Sequence, residues 1–382
     1  MDKRTNNVVL AIAIAVIFVA ASIPTPSFSQ AGNEQNNSND TDNTSVIEKK
    51  TLRIGYYPNI NHAQAVIGLG KGDFQRALGN NIEVKTQIFN AGPSAMEALF
   101  ANQIDVTYIG PGPTINGYAR SGGEVLRIIS GSTSGGAVFV VRNDSGINSP
   151  QDLAKKKFAT PELGNTQDIA LRNYLLDNGL NTKEKGGNVE VLTVKNPDIV
   201  TLFLTKQIDG AWVPEPWGET LVKEGGGKIL VDERDLWPPE GKFVTVNMIV
   251  RSDYLENNSD VIKKLLEAHI DETNWINSNK TAAIEPFNVE LEKLTGKTLT
   301  EDILNASLSR IEFTYDPIRL SLFQDANDAY KMGFLPEQPN LSGIYDLTIL
   351  DQVLQEKGLP PASEVDAAGT NATDAFISSD TG

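Results

Sequence analysis

The chain has 382 residues, of which 40% are hydrophobic, 21% charged and 7% aromatic, a composition typical of packed globular proteins. It contains no cysteine and only two histidines, which excludes disulfide frameworks, thiolate metal sites and cysteine nucleophiles and disfavours an enzyme. The formal net charge of −16 disfavours nucleic acid and anionic membranes as partners, so that an anionic ligand would have to be held by local donors.

The first 31 residues have the order of a secretory signal. Basic residues at positions 3 and 4 precede an apolar run over residues 8–23, which ends before two prolines and the small-residue pattern Ser29-Gln30-Ala31. The run is shorter than the ~20 residues that span a bilayer as a helix, so we predict a signal peptide over residues 1–31. Whether it is cleaved or kept as an anchor stays open, and either outcome predicts an extracytoplasmic protein, periplasmic or at the cell surface.

Polar segments flank the part of the chain that is predicted to fold. Residues 32–50 are rich in Asn, Asp, Ser and Thr and are predicted to be a linker, and residues 362–382 are predicted to be a disordered tail. About 310 residues remain between them, enough for two domains. Asn-x-Ser/Thr triplets occur at Asn36, Asn39, Asn43, Asn143, Asn257, Asn279, Asn305, Asn340 and Asn371. Their glycosylation depends on the host and stays open.

Strand and helix patterns alternate through the first half of this region. The pattern predicts a strand at 52–56, a Pro/Asn loop and a helix that begins at about His62. The next elements are predicted at 82–89 (strand), 93–102 (helix), 104–109 (strand) and 110–113 (loop). Such alternation predicts a mainly parallel α/β sheet. After residue 254 the pattern is helical, with stretches predicted at 261–277, 285–294, 301–310, 317–333 and 346–357.

One sequence unit occurs twice, with an offset of 104 residues. The offset places 53–55 on 157–159, Asn61 on Asn165, 103–105 on 207–209, and 110–113 on 214–217. A constant offset over this length predicts two similar lobes. Because open α/β sheets bind ligands at the carboxyl ends of their strands, two such edges that face each other would form a ligand cleft.

Two apolar strands end in the same Val-Arg-polar-Asp pattern, at residues 140–144 and 249–253. We interpret them as the two crossings between the lobes. Lobe I is then predicted to comprise residues 51–141 and 250–361, which include the C-terminal helices, and lobe II to comprise residues 142–249.

Five segments resemble a known family. They read RIGYYPNINHAQA, ALFANQIDVTYIGPGP, SGGAVFVV, TPELGNTQDIALRNYL and QIDGAWVPEPW, and they resemble the solute-binding proteins of the nitrate/sulfonate/taurine class of ABC importers. The resemblance runs from about residue 51 to 335. It implies an α/β, two-lobed type II periplasmic-binding-protein fold with a ligand cleft between the lobes, and delivery of a small solute to an ABC permease with a cytoplasmic ATPase.

The class includes binders of taurine, alkanesulfonates, nitrate, bicarbonate (hydrogencarbonate) and pyrimidines, so the resemblance does not fix the ligand. We expect a sulfonate or taurine-like anion or zwitterion first, and nitrate or bicarbonate next. We predict no catalytic residue, metal or cofactor, and a monomer that binds no nucleic acid. The alternatives left open are a pyrimidine-precursor binder or synthase on the same fold, and a surface protein without a transport role.

The helix that opens at Gly164-Asn165-Thr166 is the first candidate for an anion site, because the free backbone N–H groups and the dipole of a helix N-terminus favour negative charge. Asn165 and Thr166 are predicted to add side-chain donors, although either residue could merely cap its helix. Asn59, Asn61 and His62 hold the equivalent place in the first lobe and are predicted to contact the same ligand, although His62 could equally be only a residue at the start of its helix.

Further candidates come from the loops that follow other strands. A carboxylate beside an indole, as at Glu215 and Trp217, could hold the ammonium of a zwitterion such as taurine; the alternative for Glu215 is a contact in lobe closure or with the permease. Trp212 is predicted to pack in the core. The resemblance adds the polar side chains of Thr114, Ser134 and Asn247 as ligand contacts.

Overall fold

A computed structural model of the protein describes residues 49–362. The predicted signal peptide, most of the predicted linker and the predicted tail after residue 362 lie outside this range. The first strand begins at Lys50, so the predicted linker extends one residue too far. Within the described range, no helix combines the length and the apolar character needed to cross a membrane.

The described residues form eleven strands and thirteen α-helices. The strands are β1 (Lys50–Tyr56), β2 (Ile82–Ile88), β3 (Val106–Ile109), β4 (Leu126–Gly135), β5 (Ala137–Arg142), β6 (Lys157–Thr160), β7 (Glu190–Thr193), β8 (Gly210–Pro214), β9 (Gly227–Asp232), β10 (Val244–Arg251) and β11 (Ile311–Phe313). The helices are α1 (Ala63–Gly70), α2 (Asp73–Leu78), α3 (Gly92–Phe100), α4 (Pro111–Arg120), α5 (Thr166–Asp177), α6 (Asn196–Leu204), α7 (Trp217–Lys223), α8 (Ser252–Asn257), α9 (Ser259–Ser278), α10 (Lys280–Thr295), α11 (Glu301–Leu308), α12 (Arg319–Lys331) and α13 (Thr348–Glu356). Short 3-10 helices lie at Ile60–His62, Asn143–Ser145, Pro150–Leu153, Lys183–Lys185 and Glu233–Leu236.

The strands form two sheets, one in each lobe. The order is β11-β4-β10-β3-β1-β2 in the first sheet and β7-β6-β8-β5-β9 in the second. Alternate residues of β5 show how the second sheet is covered on both faces: Phe139 and Val141 pack into one apolar cluster, and Val138 and Val140 into another. The predicted two-lobed α/β fold is therefore confirmed.

The internal repeat is present in strand order, strand direction and register. The order β2-β1-β3-β10-β4 in the first sheet corresponds to β7-β6-β8-β5-β9 in the second. Ile54 pairs with Val106 in parallel, and 104 residues later Phe158 pairs with Gly210 in the same way. Helices α3 and α6 begin at the same offset. The prediction of two similar lobes is confirmed.

The repeated segments 103–105 and 207–209 and the two Val-Arg patterns meet in one ion pair in each lobe, between an aspartate and an arginine, which we call the clamp. In the first lobe, Asp105 Oδ2 accepts a hydrogen bond from the backbone N–H of Arg53 at 2.9 Å, and its Oδ1 lies 3.3 Å from Arg251 Nη1. The same contacts recur in the second lobe, at Asp209, Lys157 and Arg142, with distances of 2.9 and 3.4 Å. The arginine thus fastens the end of its strand to the neighbouring strand of its own sheet.

The crossings between the lobes lie before the predicted boundaries. Strand β5 already belongs to the second sheet and β10 to the first, so the predicted boundaries near 141 and 250 fall at the far ends of these strands. The chain leaves the first lobe at Gly135 and Gly136, each with φ of +74°, a left-handed conformation that favours glycine. It returns between β9 and β10. The boundaries predicted from the Val-Arg pattern were wrong because this pattern marks the clamp at the end of a strand and not the crossing between the lobes.

The segment 110–113, predicted as a loop, contains the start of a helix. Helix α4 begins at Pro111, because a proline in the first helical turn gives up only an N–H group that would have no intrahelical partner. The predicted C-terminal helices correspond to α9 to α13, with ends that differ from the prediction by a few residues.

Candidate functional site

A small cavity of about 30 Å³ lies between the lobes, next to the carboxyl ends of β1, β3, β6 and β8. Five of the ten predicted ligand-binding residues line it: Asn59, Asn61, His62, Asn165 and Thr166. The lining also includes residues that the sequence patterns did not predict, among them Tyr57, Asn90, Gln167 and Asn196.

The lining follows the internal repeat. Residues 104 positions apart face the cavity from opposite lobes, in the pairs Tyr57/Pro161, Asn61/Asn165, His62/Thr166, Gly92/Asn196 and Gly110/Pro214. The offset that located Asn61 and Asn165 would also have located Asn196, which corresponds to the glycine at the start of α3. The two lobes therefore present related backbone positions, with different side chains, to one small space.

The N-termini of helices α3, α5 and α6 meet at this cavity, since Gly92, Thr166 and Asn196 are both first helical residues and lining residues. The positive ends of helix dipoles favour an anion. No described residue of the lining has a charged side chain at neutral pH, because burial lowers the pKa of His62 to about 3. The site is suited to an anion that is held by neutral donors.

On the first-lobe side, several polar atoms are buried without a partner. Among the described residues, none forms a hydrogen bond with the Tyr57 hydroxyl, Asn61 Oδ1 or His62 Nδ1. The rings of Tyr57 and His62 lie 4.4 Å apart, centroid to centroid. A buried polar group left unpaired costs about 1–3 kcal/mol. Several of them around one cavity therefore indicate a ligand site.

On the second-lobe side, the two predicted anion donors have partners within the chain. Asn165 Oδ1 accepts a hydrogen bond of 2.6 Å from the backbone N–H of Gln167, which is the helix-capping alternative. This bond leaves the amide nitrogen of Asn165 as a donor. Thr166 Oγ1 accepts from the backbone N–H of Gly112 in the other lobe at 3.3 Å, and its hydroxyl hydrogen remains free to donate.

Trp217 and Glu215 lie outside the cavity lining and join the lobes. Trp217 Nε1 donates to Asn59 Oδ1 at 2.7 Å. Glu215 is fully buried and contacts two groups of the first lobe, Arg310 Nη1 at 3.2 Å and Ser307 Oγ at 3.1 Å. Both carboxylate oxygens of Glu215 thus have partners, which matches the lobe-closure alternative rather than a bond to a ligand ammonium.

Burial governs the pKa values of two glutamates near this contact. It raises the pKa of Glu215 to about 7 although Arg310 acts in the opposite direction. It also raises the pKa of Glu233 to about 7. Glu233 Oε2 accepts from the indole N–H of Trp212 at 2.7 Å, and Trp212 is fully buried. The predicted core role of Trp212 is confirmed.

The three candidates taken from the resemblance do not line the cavity. Thr114 Oγ1 donates to the Gly110 carbonyl at 2.8 Å, and Ser134 Oγ accepts from the backbone N–H of Phe243 at 3.2 Å. Asn247 is fully buried on β10, and neither end of its amide has a hydrogen-bond partner among the described residues. Their contact with a ligand stays a prediction.

Comparison with known proteins gives one matching family. The model of the NMT1-like family matches residues 45–286. The taurine-binding periplasmic protein of Escherichia coli is 25% identical over 210 residues, which are 54% of this chain and 62% of that protein. A putative aliphatic sulfonates-binding protein of Bacillus subtilis is 23% identical over 312 residues, 80% of this chain and 89% of that protein.

A solved structure supports the fold assignment. The crystal structure of the periplasmic aliphatic sulphonate binding protein SsuA from Escherichia coli has a TM-score of 0.63 at 21% identity, and covers 78% of this chain and 92% of that one. At this identity the similarity shows the fold alone, and it confirms the periplasmic-binding-protein fold that the sequence predicted.

Proposed function

The chain belongs to the NMT1-like family, and on this premise we propose that it is the solute-binding component of an ABC importer. It captures a small anion-bearing solute between its two lobes and presents it to a permease that has a cytoplasmic ATPase. The periplasmic relatives support an extracytoplasmic place of action, and the names of the relatives support a binding protein rather than an enzyme. We propose that it acts as a monomer and binds no nucleic acid.

The observation that carries this proposal is the cavity itself. Unpaired buried polar atoms face it from Tyr57, Asn61, His62 and Asn196, and three helix N-termini meet there. Hydrogen bonds to a charged group contribute about 1.5–3 kcal/mol each. Four of them offset an association cost of about 4 kcal/mol or more, so micromolar binding is within reach.

Closure of the two lobes is the step that links solute binding to recognition by the permease. Contacts such as Trp217 to Asn59 and Thr166 to Gly112 cross between the lobes next to the cavity. They form only when the lobes are together, so a solute that completes the hydrogen bonds of both lobes favours the closed state. The permease would then distinguish loaded from empty protein by shape. Among solutes, we propose a sulfonate or taurine first, which the names of two relatives support, and nitrate or hydrogencarbonate next.

A thermal-shift panel tests the proposal. It contains taurine, short alkanesulfonates, nitrate, hydrogencarbonate and a hydroxymethylpyrimidine. A ligand at 100 times its Kd adds about 2.7 kcal/mol of stability, which raises Tm by a few degrees. We expect a shift with at least one anion and a smaller shift in Thr166→Val, which lacks the hydroxyl donor. A shift with the pyrimidine alone would favour the pyrimidine alternative, and no shift at all would favour a surface protein without a solute.

A further inference from the structure

Asn61 presents a fixed hydrogen-bond acceptor to the cavity. Its Nδ2 donates to the carbonyl oxygens of Gly135 and Gly136, each at 3.1 Å. A flipped amide would place Oδ1 against two carbonyl oxygens, so the hydrogen bonds determine which end of the amide is which. Asn61 is 1% exposed, and its Oδ1 has no donor among the described residues.

Three other side chains near this acceptor leave donors free, and Asn196 Oδ1 is a second buried acceptor of the lining that has no partner among the described residues. Asn59 Oδ1 accepts a hydrogen bond from the indole of Trp217, and Asn165 Oδ1 accepts one from a backbone N–H. The NH₂ group of each amide therefore remains as a donor. The hydroxyl hydrogen of Thr166 is also free to donate. These donors suit the oxygens of an anion, whereas Asn61 Oδ1 suits an O–H or N–H group.

From this arrangement we infer that the ligand is an anion that also carries a hydrogen-bond donor, and that Asn61 Oδ1 accepts this donor. The inference rests on the proposed function and narrows its ligand class. An anion with acceptor oxygens alone, such as nitrate or a simple alkanesulfonate, places oxygen against oxygen at Asn61. A buried site that is built to receive a donor rejects the analogue that lacks it.

The volume of the cavity indicates how large a ligand with an anionic group and a donor can be. About 30 Å³ is room for roughly two water molecules. This favours a compact ion of hydrogencarbonate size over taurine, which would need the lobes to stand farther apart. Hydrogencarbonate and taurine share the required chemistry of an anionic group with a donor, so the experiment includes both.

Two matched pairs of ligands test the inference by titration calorimetry of the purified protein at pH 8. Hydrogencarbonate and nitrate have the same charge, planar shape and number of heavy atoms, and only hydrogencarbonate has an O–H. Taurine and ethanesulfonate differ in the ammonium group. In at least one pair, we expect the member with a donor to bind at least about tenfold more tightly. Preference in the first pair identifies the compact ion, and preference in the second identifies the aminosulfonate.

Variants at the two repeat-related asparagines give the matched control. Asn61→Ala should bring the affinity ratio within the preferred pair close to one. Asn165→Ala should weaken both members of the pair alike and leave the ratio unchanged. If Asn61→Ala does not fold, the ratio in the wild-type protein decides the matter alone.

The outcomes separate this inference from the proposed function. If neither pair shows tighter binding of the member with a donor, the inference is overturned and the anion receptor stands. If none of the four anions binds, the anion ligand of the proposed function is wrong and the inference fails with it.

Discussion

Replacement of Arg310 by methionine should weaken the contact between the lobes, because this guanidinium contacts three acidic side chains of the second lobe. Arg310 Nη1 lies 2.5 Å from Glu219 and 3.2 Å from Glu215, and its Nε lies 3.5 Å from Asp232. The side chains of Glu215 and Glu219 are 0% and 3% exposed. Without Arg310, neither of these buried carboxylates would have an ion-pair partner among the described residues.

The expected loss of stability in Arg310→Met follows from the burial of the two carboxylates. Removal of one partner from a buried ion pair typically costs about 3–5 kcal/mol. Because the lobes can separate and let water reach the carboxylates, we expect the lower end, about 3 kcal/mol. Arg120→Met is the matched control: Arg120 pairs with Glu97 at side-chain exposures of 59% and 66%, and such surface pairs contribute less than about 1 kcal/mol.

The cost of Arg310→Met should depend on pH through Glu215. Burial raises the pKa of this group from 4.5 to about 7, so burying Glu215 contributes stability that is fully present below pH 4.5 and is lost as the pH rises through about 7. Loss of Arg310 removes an interaction that lowers this pKa, so the variant should lose more stability than the wild type on the way to pH 8. The cost should therefore be larger at pH 8 than at pH 5.5.

Urea denaturation of the wild type and both variants at the two pH values measures these differences, and small-angle X-ray scattering shows whether the lobes have separated. We expect Arg310→Met to be less stable than Arg120→Met, with the larger gap at pH 8, and to be more extended. Equal midpoints for the two variants at both pH values would refute the view that Arg310 holds the lobes together.

Three further changes have defined outcomes. Gly110→Ala would place a methyl carbon 2.4 Å from Thr166 Oγ1 of the other lobe, so ligand binding should weaken at least about tenfold with little change in the denaturation midpoint; unchanged affinity would contradict the closure mechanism. Trp217→Phe removes the 2.7 Å bond to Asn59 and should speed ligand release by up to about tenfold in stopped-flow measurements, whereas an unchanged rate would show that this bond is not a closing contact. Burial raises the pKa of Glu233 from 4.5 to about 7, so the contribution of this group to stability is lost as the pH rises through that value. Glu233→Gln should therefore stabilise the protein at pH 8 by about 2–3 kcal/mol and have little effect near pH 4.5. A lower Tm of the variant at pH 8 would contradict this expectation.

The sequence was most informative where local and repeated patterns agree. The 104-residue offset located both lobes and the asparagines at 61 and 165 because it reflects a strand–loop–helix unit that each lobe uses in the same register. The C-terminal helices were predictable because their apolar periodicity depends only on nearby residues.

Contacts between distant segments could not be predicted from sequence patterns. The partner of Glu215 is Arg310, 95 residues away, and no local pattern links them, so the pairing of a carboxylate with a nearby indole gave a plausible but different hypothesis. The lobe crossing at Gly135 and Gly136 was hidden for a similar reason. The clamp residue Arg142 produced a stronger sequence pattern at the other end of the strand.

The most direct test of solute capture between the lobes is a crystal structure of the protein with the panel ligand that gives the largest thermal shift. We expect closed lobes, with the anionic group within hydrogen-bond distance of Asn165 and Thr166 and a donor of the ligand on Asn61 Oδ1. A ligand bound elsewhere, or an unoccupied cavity between the lobes at saturating ligand, would contradict it.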